Sequence, residues 1–261
     1  MLGFPFQNRS MFPFFPFQLV HCDVWTSPIL SSSGFRYYLL LLDDYSHFSW
    51  TFPLRYKSNA LATIQKFHAL VQNHFNLPLL TLQADNRREF DNHATRAFFD
   101  THGIAFRMSC PYTSAQNGRA ERMLRTLNET VCAMVVHASM PPMFWAEALA
   151  TATFLHNRRP CRVRRFLSLF ELLYCAPPDY SGVRVFGCLC YPNTSATVAH
   201  KLAPRSAACV FLGYSPDHKG YRCLNRATGR VLISRHVYFD EQQFPFASVS
   251  PAPSCSLSPT T

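Results

Sequence analysis

The chain has 261 residues, 48% of them hydrophobic and only 15% charged, which supplies material for a packed core and excludes a largely disordered chain. Its formal net charge is +10, and a globular chain this basic points to a polyanion, either nucleic acid or an anionic membrane. The proline-broken N-terminus carries Arg9 and lacks the uninterrupted apolar stretch of a secretory signal, and the run at Leu39–Leu42 stops at Asp43 and Asp44, far short of a membrane span. No membrane partner is therefore expected, and nucleic acid is preferred.

Residues 1–16, aromatic and proline-rich without a period, read as a linker or arm. FQLVHCDVW (17–25), RYYLLLLD (36–43) and HFSWTFPL (47–54) read as three strands, with turn chemistry at Asp44-Tyr45-Ser46, so the chain opens with an antiparallel meander. Leu61, Ile64, Phe67, His68 and Val71 recur at helical spacing over 58–75, with Ser58 as the expected N-cap. LLTLQA (79–84) is a short strand running into Asp85, a helix over 93–102 stops at Gly103, and IAFRMS (104–109) is a fifth strand. After the turn-rich PYTSAQNG comes a long helix, about 119–139, with a stripe of Ala120, Met123, Leu124, Leu127, Val131, Met134, Val135 and Ala138. Pro141-Pro142 is expected to end it, and further helices are expected over 144–157 and 168–174.

Past Pro177-Pro178 the texture changes to short strands separated by Gly, Pro, Asn and Asp, an all-β module, and the tail after Phe246 reads as disordered. The earlier part is a mixed α/β layout with a five-stranded central sheet and helices on both faces. The ten cysteines form no C-x-x-C pair and no zinc-finger spacing. They read as scattered reduced thiols of an intracellular protein, with Cys188 and Cys190 on one strand face and no zinc site expected.

The acids are placed more tellingly. Asp23 interrupts an apolar strand, which is costly unless the carboxylate is paired or metal-bound. Asp85 is the first residue after the fourth strand, at its C-terminal end, where sites of open α/β sheets assemble. Glu121 opens the long helix, beside the stripe member Ala120. Three carboxylates converging on one point would call for a divalent cation such as Mg²⁺ or Mn²⁺. Taken singly, each has a bland reading, as a strand-edge residue, a turn or N-cap residue, or a carboxylate answering a helix dipole. Asp43 and Asp44 are weaker candidates because they sit in a hairpin turn.

Asp23 with Asp85 and Glu121, the latter two separated by 35 residues, resembles the Asp-Asp-Glu signature of retroviral and retrotransposon integrases. HCDVW and LQADNRREF resemble the first and second aspartate segments of the copia-type integrases, and PYTSAQNGRAERMLRTLNE is similar to their third. MFWAEAL, FELLY with the following PDYSGVRVFGCLCY, and CVFLGYSPDHKGYRCLN with SRHVYFDE extend the resemblance to roughly residues 17–246.

The resemblance implies a ribonuclease-H-like catalytic domain over 17–180, then a small Src-homology-3-like barrel over 184–246, with 247–261 as tail. It implies two Mg²⁺ or Mn²⁺ ions on Asp23, Asp85 and Glu121, metal-dependent 3′-end processing and strand transfer, element ends and target duplex as DNA partners, self-association, and a nuclear location. Gln116 and Asn117 are expected DNA contacts in the loop beside the metals, with Gly118 serving backbone geometry. Arg119, Arg122 and Arg125 are candidate DNA contacts, as are Arg158, Arg159, Arg162, Arg164 and Arg165 of RRPCRVRR, whose bland reading is a solvated loop. In the barrel, Arg205, Lys219, Arg222, Arg226 and Arg230 suit phosphate contacts.

The pattern departs from the family in lacking the preceding His/Cys zinc segment, the protease and the reverse transcriptase, and in having Arg87 where glycine is usual. The leading expectation is an integrase-type polynucleotidyl transferase. The alternative is a truncated, catalytically inactive retrotransposon remnant that only binds nucleic acid, and a ribonuclease H role is a weaker enzyme alternative.

Overall fold

The computed structural model describes residues 13–85, 90, 92–108, 118–193, 205–215 and 218–247. The chain divides into two compact units, residues 1–130 with 152–180, and residues 131–151 with 181–261. The expected loop contacts Gln116 and Asn117, Arg87 and the tail from 248 lie outside the described residues.

In the first unit, β1 (Val20–Thr26), β2 (Tyr37–Asp43) and β3 (Ser49–Leu54) form the expected meander, and β4 (Thr81–Ala84) and β5 (Ala105–Met108) join it in parallel. The strand order is β3-β2-β1-β4-β5. Alternation sends Val20, Cys22, Val24, Leu39 and Leu41 into a core with Ile64, Phe67 and Val71, while His21, Asp23 and Leu40 take the other face. Leu39 to Leu42 are at most 1% exposed, so truncating any of them to alanine costs about 2–5 kcal/mol.

Helices α1 (Asn59–Leu70) and α2 (His93–His102) contribute Ile64, Phe67 and Phe99 to that core. Ser58 does not cap α1. Its backbone is already helical and its side chain makes no capping bond, because a turn with Asn59 N–H donating to the Tyr56 carbonyl precedes the helix. Asn92 caps α2 by accepting from Thr95 N–H, and Gly103 ends it at φ 64° as expected. On the opposite sheet face, Asn157 of α4 (Trp145–Arg158) accepts from Ser49 N–H at 3.0 Å and donates to the Ser49 carbonyl at 2.8 Å. That exchange fixes α4 across β3. Ser168 opens α5 (Leu169–Tyr174) with a capping box completed by Glu171.

Helix α3 (Gly118–His137) stops short of Pro141-Pro142, at a left-handed Ser139 (φ 51°), with Met140 N–H returning to the Val135 carbonyl. A backbone turn, rather than the proline pair, ends it.

The second unit contains an antiparallel sheet of β6 (Leu189–Pro192), β7 (Cys209–Tyr214), β8 (Tyr221–Asn225), β9 (Val231–Ser234) and β10 (Val237–Asp240), in the order β10-β6-β7-β8-β9. Its cysteines are not scattered. Cys188, Cys190, Cys209 and Cys223 surround Phe211 in one buried core, because adjacent strands aim alternate residues to the same side. β7 lies hard against α4, since a Cβ on Gly213 (φ +107°) would stand 2.2 Å from Thr151 Oγ1.

Candidate active site

The parallel register sets Cys22 of β1 opposite Ala84 of β4, so the next residues, Asp23 and Asp85, emerge side by side at the end of β4. Asp23 is only 3% exposed. Both carboxylates act on the Cys22 thiol of the adjoining face, which burial raises first and which Asp23 and then Asp85 push further up. Two oxygen donors so placed fit a hard divalent cation, which would relieve their mutual repulsion.

Helix α3 is pinned across the same sheet face at two points. Near its start, Arg119 donates to Asp44 Oδ1, which also pairs with His21 Nε2 at 2.8 Å. Two turns on, Tyr38 Oη donates to Asn128 Oδ1 at 3.2 Å. Burial, and then Asp23, raise the Tyr38 hydroxyl far above its ordinary value, so it stays protonated and keeps donating. Between these anchors Ala120, Leu124 and Leu127 are buried, while Glu121 lies exposed in the first turn. Among the described residues no three His, Cys, Asp or Glu side chains form a metal-holding cluster. The structure thus brings Asp23 and Asp85 together and leaves Glu121 outside that pair, two residues along from the anchored Arg119.

Residues 15–114 match the integrase core domain, and residues 188–252 match the retroviral polymerase SH3-like domain. The retrovirus-related Pol polyproteins from transposons RE2 and RE1 of Arabidopsis thaliana are each 39% identical, over 94% and 98% of this chain. That from transposon TNT 1-94 of Nicotiana tabacum is 34% identical over 86% of this chain. The chain carries an integrase core domain and a retroviral SH3-like domain, and these relatives are copia-type Pol polyproteins. It spans 17%, 18% and 17% of those three polyproteins, respectively. The integrase fold is also seen in a solved simian T-cell lymphotropic virus intasome in complex with PP2A regulatory subunit B56 gamma, with TM-score 0.52 and 14% identity over 87% of this chain and 80% of that one.

The remaining candidates of this integrase core divide by environment. Arg122, Arg125, Arg159, Arg162 and Arg165 are exposed, whereas Arg119 and Arg164 are half-buried. Arg158 is a packing residue, with its guanidinium 3.6 Å from the Phe154 ring centre and 4.9 Å from that of Phe170. In the second unit, Arg222 lies 3.7 Å from the buried Glu147. Asp43 and Asp44 are each engaged in hydrogen bonds. Asp43 accepts from Phe17 N–H and from Ser46, and Asp44 holds His21 and Arg119. Sequence reasoning treated Asp44 as a turn residue and passed over His21. The available signal was His-x-Asp on one strand, which sets His21 and Asp23 on one face.

Proposed function

We propose that this chain is the catalytic part of an integrase that trims the 3′ ends of an element's DNA and joins them to target DNA, with Asp23, Asp85 and Glu121 as metal ligands. The observation that carries the reading is the side-by-side emergence of Asp23 and Asp85 from parallel β1 and β4 within a domain of the integrase core family. Two Mg²⁺ or Mn²⁺ ions bound there would activate a water or 3′-hydroxyl and stabilise the charge of an in-line displacement. Asp23 is held by its strand. Glu121 is presented by a helix whose start is fixed by the Arg119–Asp44 contact. Gln116, Asn117 and the exposed arginines are assigned to DNA contacts, and the positive charge of the arginines gives salt-sensitive, sequence-tolerant affinity.

The test is manganese-dependent strand transfer on a labelled DNA-end duplex, comparing the wild type with Glu121→Gln. Product from the wild type alone supports the reading. Duplex binding without product from either protein assigns the chain instead to nucleic-acid binding alone.

A further inference from the structure

A cleft of about 260 Å³ opens in the first unit, and its lining includes none of Asp23, Asp85 and Glu121. Its described walls come from five separate segments, one of them represented by Pro13. Asp44, Tyr45 and His47 are supplied by the β2–β3 turn, Arg119 by the start of α3, Arg164 by the 3₁₀ turn Arg162–Arg164, and Leu172 by α5.

The charges in this cleft do not cancel. The Asp44 carboxylate, the single acid among the described lining residues, is engaged by Arg119 and His21 through Oδ1. Among the described residues the Arg164 guanidinium has no hydrogen bond or ion pair, so its charge is left to the cleft. His47 adds no second charge. Burial first, then Arg164 and Arg119, lower its imidazole to about 4, so near neutrality it is a neutral ring able to donate one hydrogen bond. His47 and Arg164 both line the cleft.

The backbone that holds Arg164 is hydrogen-bonded across the loop and strained. Cys161 N–H donates to the Leu167 carbonyl at 3.0 Å, and Arg164 N–H donates to the Cys161 carbonyl at 3.0 Å. A Pro160–Ser168 bridge closes the base of the loop. Its tip contains two successive non-glycine residues in the left-handed region, Arg165 (φ 55°) and Phe166 (φ 65°), and His47 across the cleft is a third (φ 60°). Each costs about 1–3 kcal/mol, and such strain gathers where a ligand is held.

We propose that this cleft is a phosphate subsite for the DNA backbone, in which Arg164 takes the phosphate oxygens and His47 donates the remaining hydrogen bond. The guanidinium's planar fork matches phosphate geometry. The cleft has room for a phosphodiester group and its waters. The inference rests on the DNA-joining reading and adds to it a fixed backbone contact away from the reacting centre.

The test uses the full chain without divalent cations, so that no DNA is cut. A fluorescently labelled duplex measures affinity by anisotropy, and isotope-labelled histidine follows the His47 ring. The expected result is that duplex shifts the His47 signals, and that Arg164→Gln weakens binding roughly tenfold and abolishes the His47 shift. It should also lower the salt slope by about 1. Arg165→Gln, on the same loop but outside the cleft, should leave the His47 shift intact. Duplex binding with His47 unmoved, or with the His47 shift surviving in Arg164→Gln, overturns the subsite while the DNA-binding reading stands. An equal response to the same concentration of inorganic phosphate overturns the assignment to DNA backbone. No duplex binding by the wild type overturns both.

Discussion

Arg119 reaches from the first turn of α3 to both the carboxylate and the backbone carbonyl of Asp44, tying the helix that bears Glu121 to the β2–β3 turn. Asp44 is 6% exposed. Burial alone would raise its carboxyl, but His21 and Arg119 outweigh that and hold it below the ordinary 3.8. A depressed carboxyl contributes stability that is present above the ordinary pKa and is lost as pH falls through the folded-state value. Asp44→Asn should therefore lower stability at pH 7 by about 1.5–3 kcal/mol, as expected for lost hydrogen bonds to charged groups. Below the depressed pKa the variant and the wild type should converge. Urea unfolding at neutral and strongly acid pH measures both. Equal stability at pH 7 would remove the anchor from the account.

The paired aspartates make a separate prediction about metal. If Asp23 and Asp85 hold Mn²⁺, the ion stabilises the folded chain by mass action, about 2.7 kcal/mol at a hundredfold excess over its dissociation constant. In a chain this size that raises the melting temperature by about 5–10 °C. Asp23→Asn should melt at or above the wild-type temperature without metal, since one of two adjacent like charges is gone, and should lose the Mn²⁺ response. A variant that keeps the full response would show that the ion sits elsewhere.

How much of this was legible in the sequence follows from the reach of each signal. The meander, α2 and its Gly103 stop, and α3 came from local periodicity and turn chemistry, which are written in neighbouring residues. The neighbour relation of β1 and β4, which brings Asp23 to Asp85, is not legible in either segment, because pairing between strands as far apart as Val20 and Leu82 leaves no local mark. The four-cysteine core of the second unit was missed for the same reason. Spacing in sequence cannot show that Cys190 and Cys209 are cross-strand partners. The ends of α1 and α3 were misjudged because Ser58 and Pro141 carry propensity, whereas the backbone of residues 56–59 and the left-handed Ser139 decide the boundaries.

His47 makes the first unit sensitive to mild acid. Its imidazole is lowered from 6.5 to about 4, with burial the first cause, Arg164 and Arg119 adding to it and Asp44 opposing. The unfolded chain therefore binds a proton near pH 6.5 that the folded chain refuses until about 4, so stability falls as pH drops across that window. His47→Asn removes the titration and tolerates the left-handed backbone. Its stability should fall less than that of the wild type between pH 7 and pH 4. His68 and His156 are also lowered, so the comparison between the two proteins carries the result. Parallel curves would place the His47 midpoint at an ordinary value.

In the second unit, Gly213 admits no side chain. Its φ of +107° is strained for any L residue, and a Cβ there would meet Thr151 Oγ1 at 2.2 Å, with the Glu147 carbonyl at 3.9 Å. Thr151 cannot easily swing away, because its hydroxyl donates to that carbonyl at 3.0 Å and its side chain is fully buried. Gly213→Ala must push β7 off α4 or distort the strand, so a loss of about 3 kcal/mol or more is expected, combining overpacking with backbone strain. Thr151→Ala removes the atom in the way but not the strain. The double variant Gly213→Ala/Thr151→Ala should therefore recover part of the loss, and the two substitutions should be non-additive in denaturant unfolding. Strict additivity would mean that strand and helix do not meet at these residues.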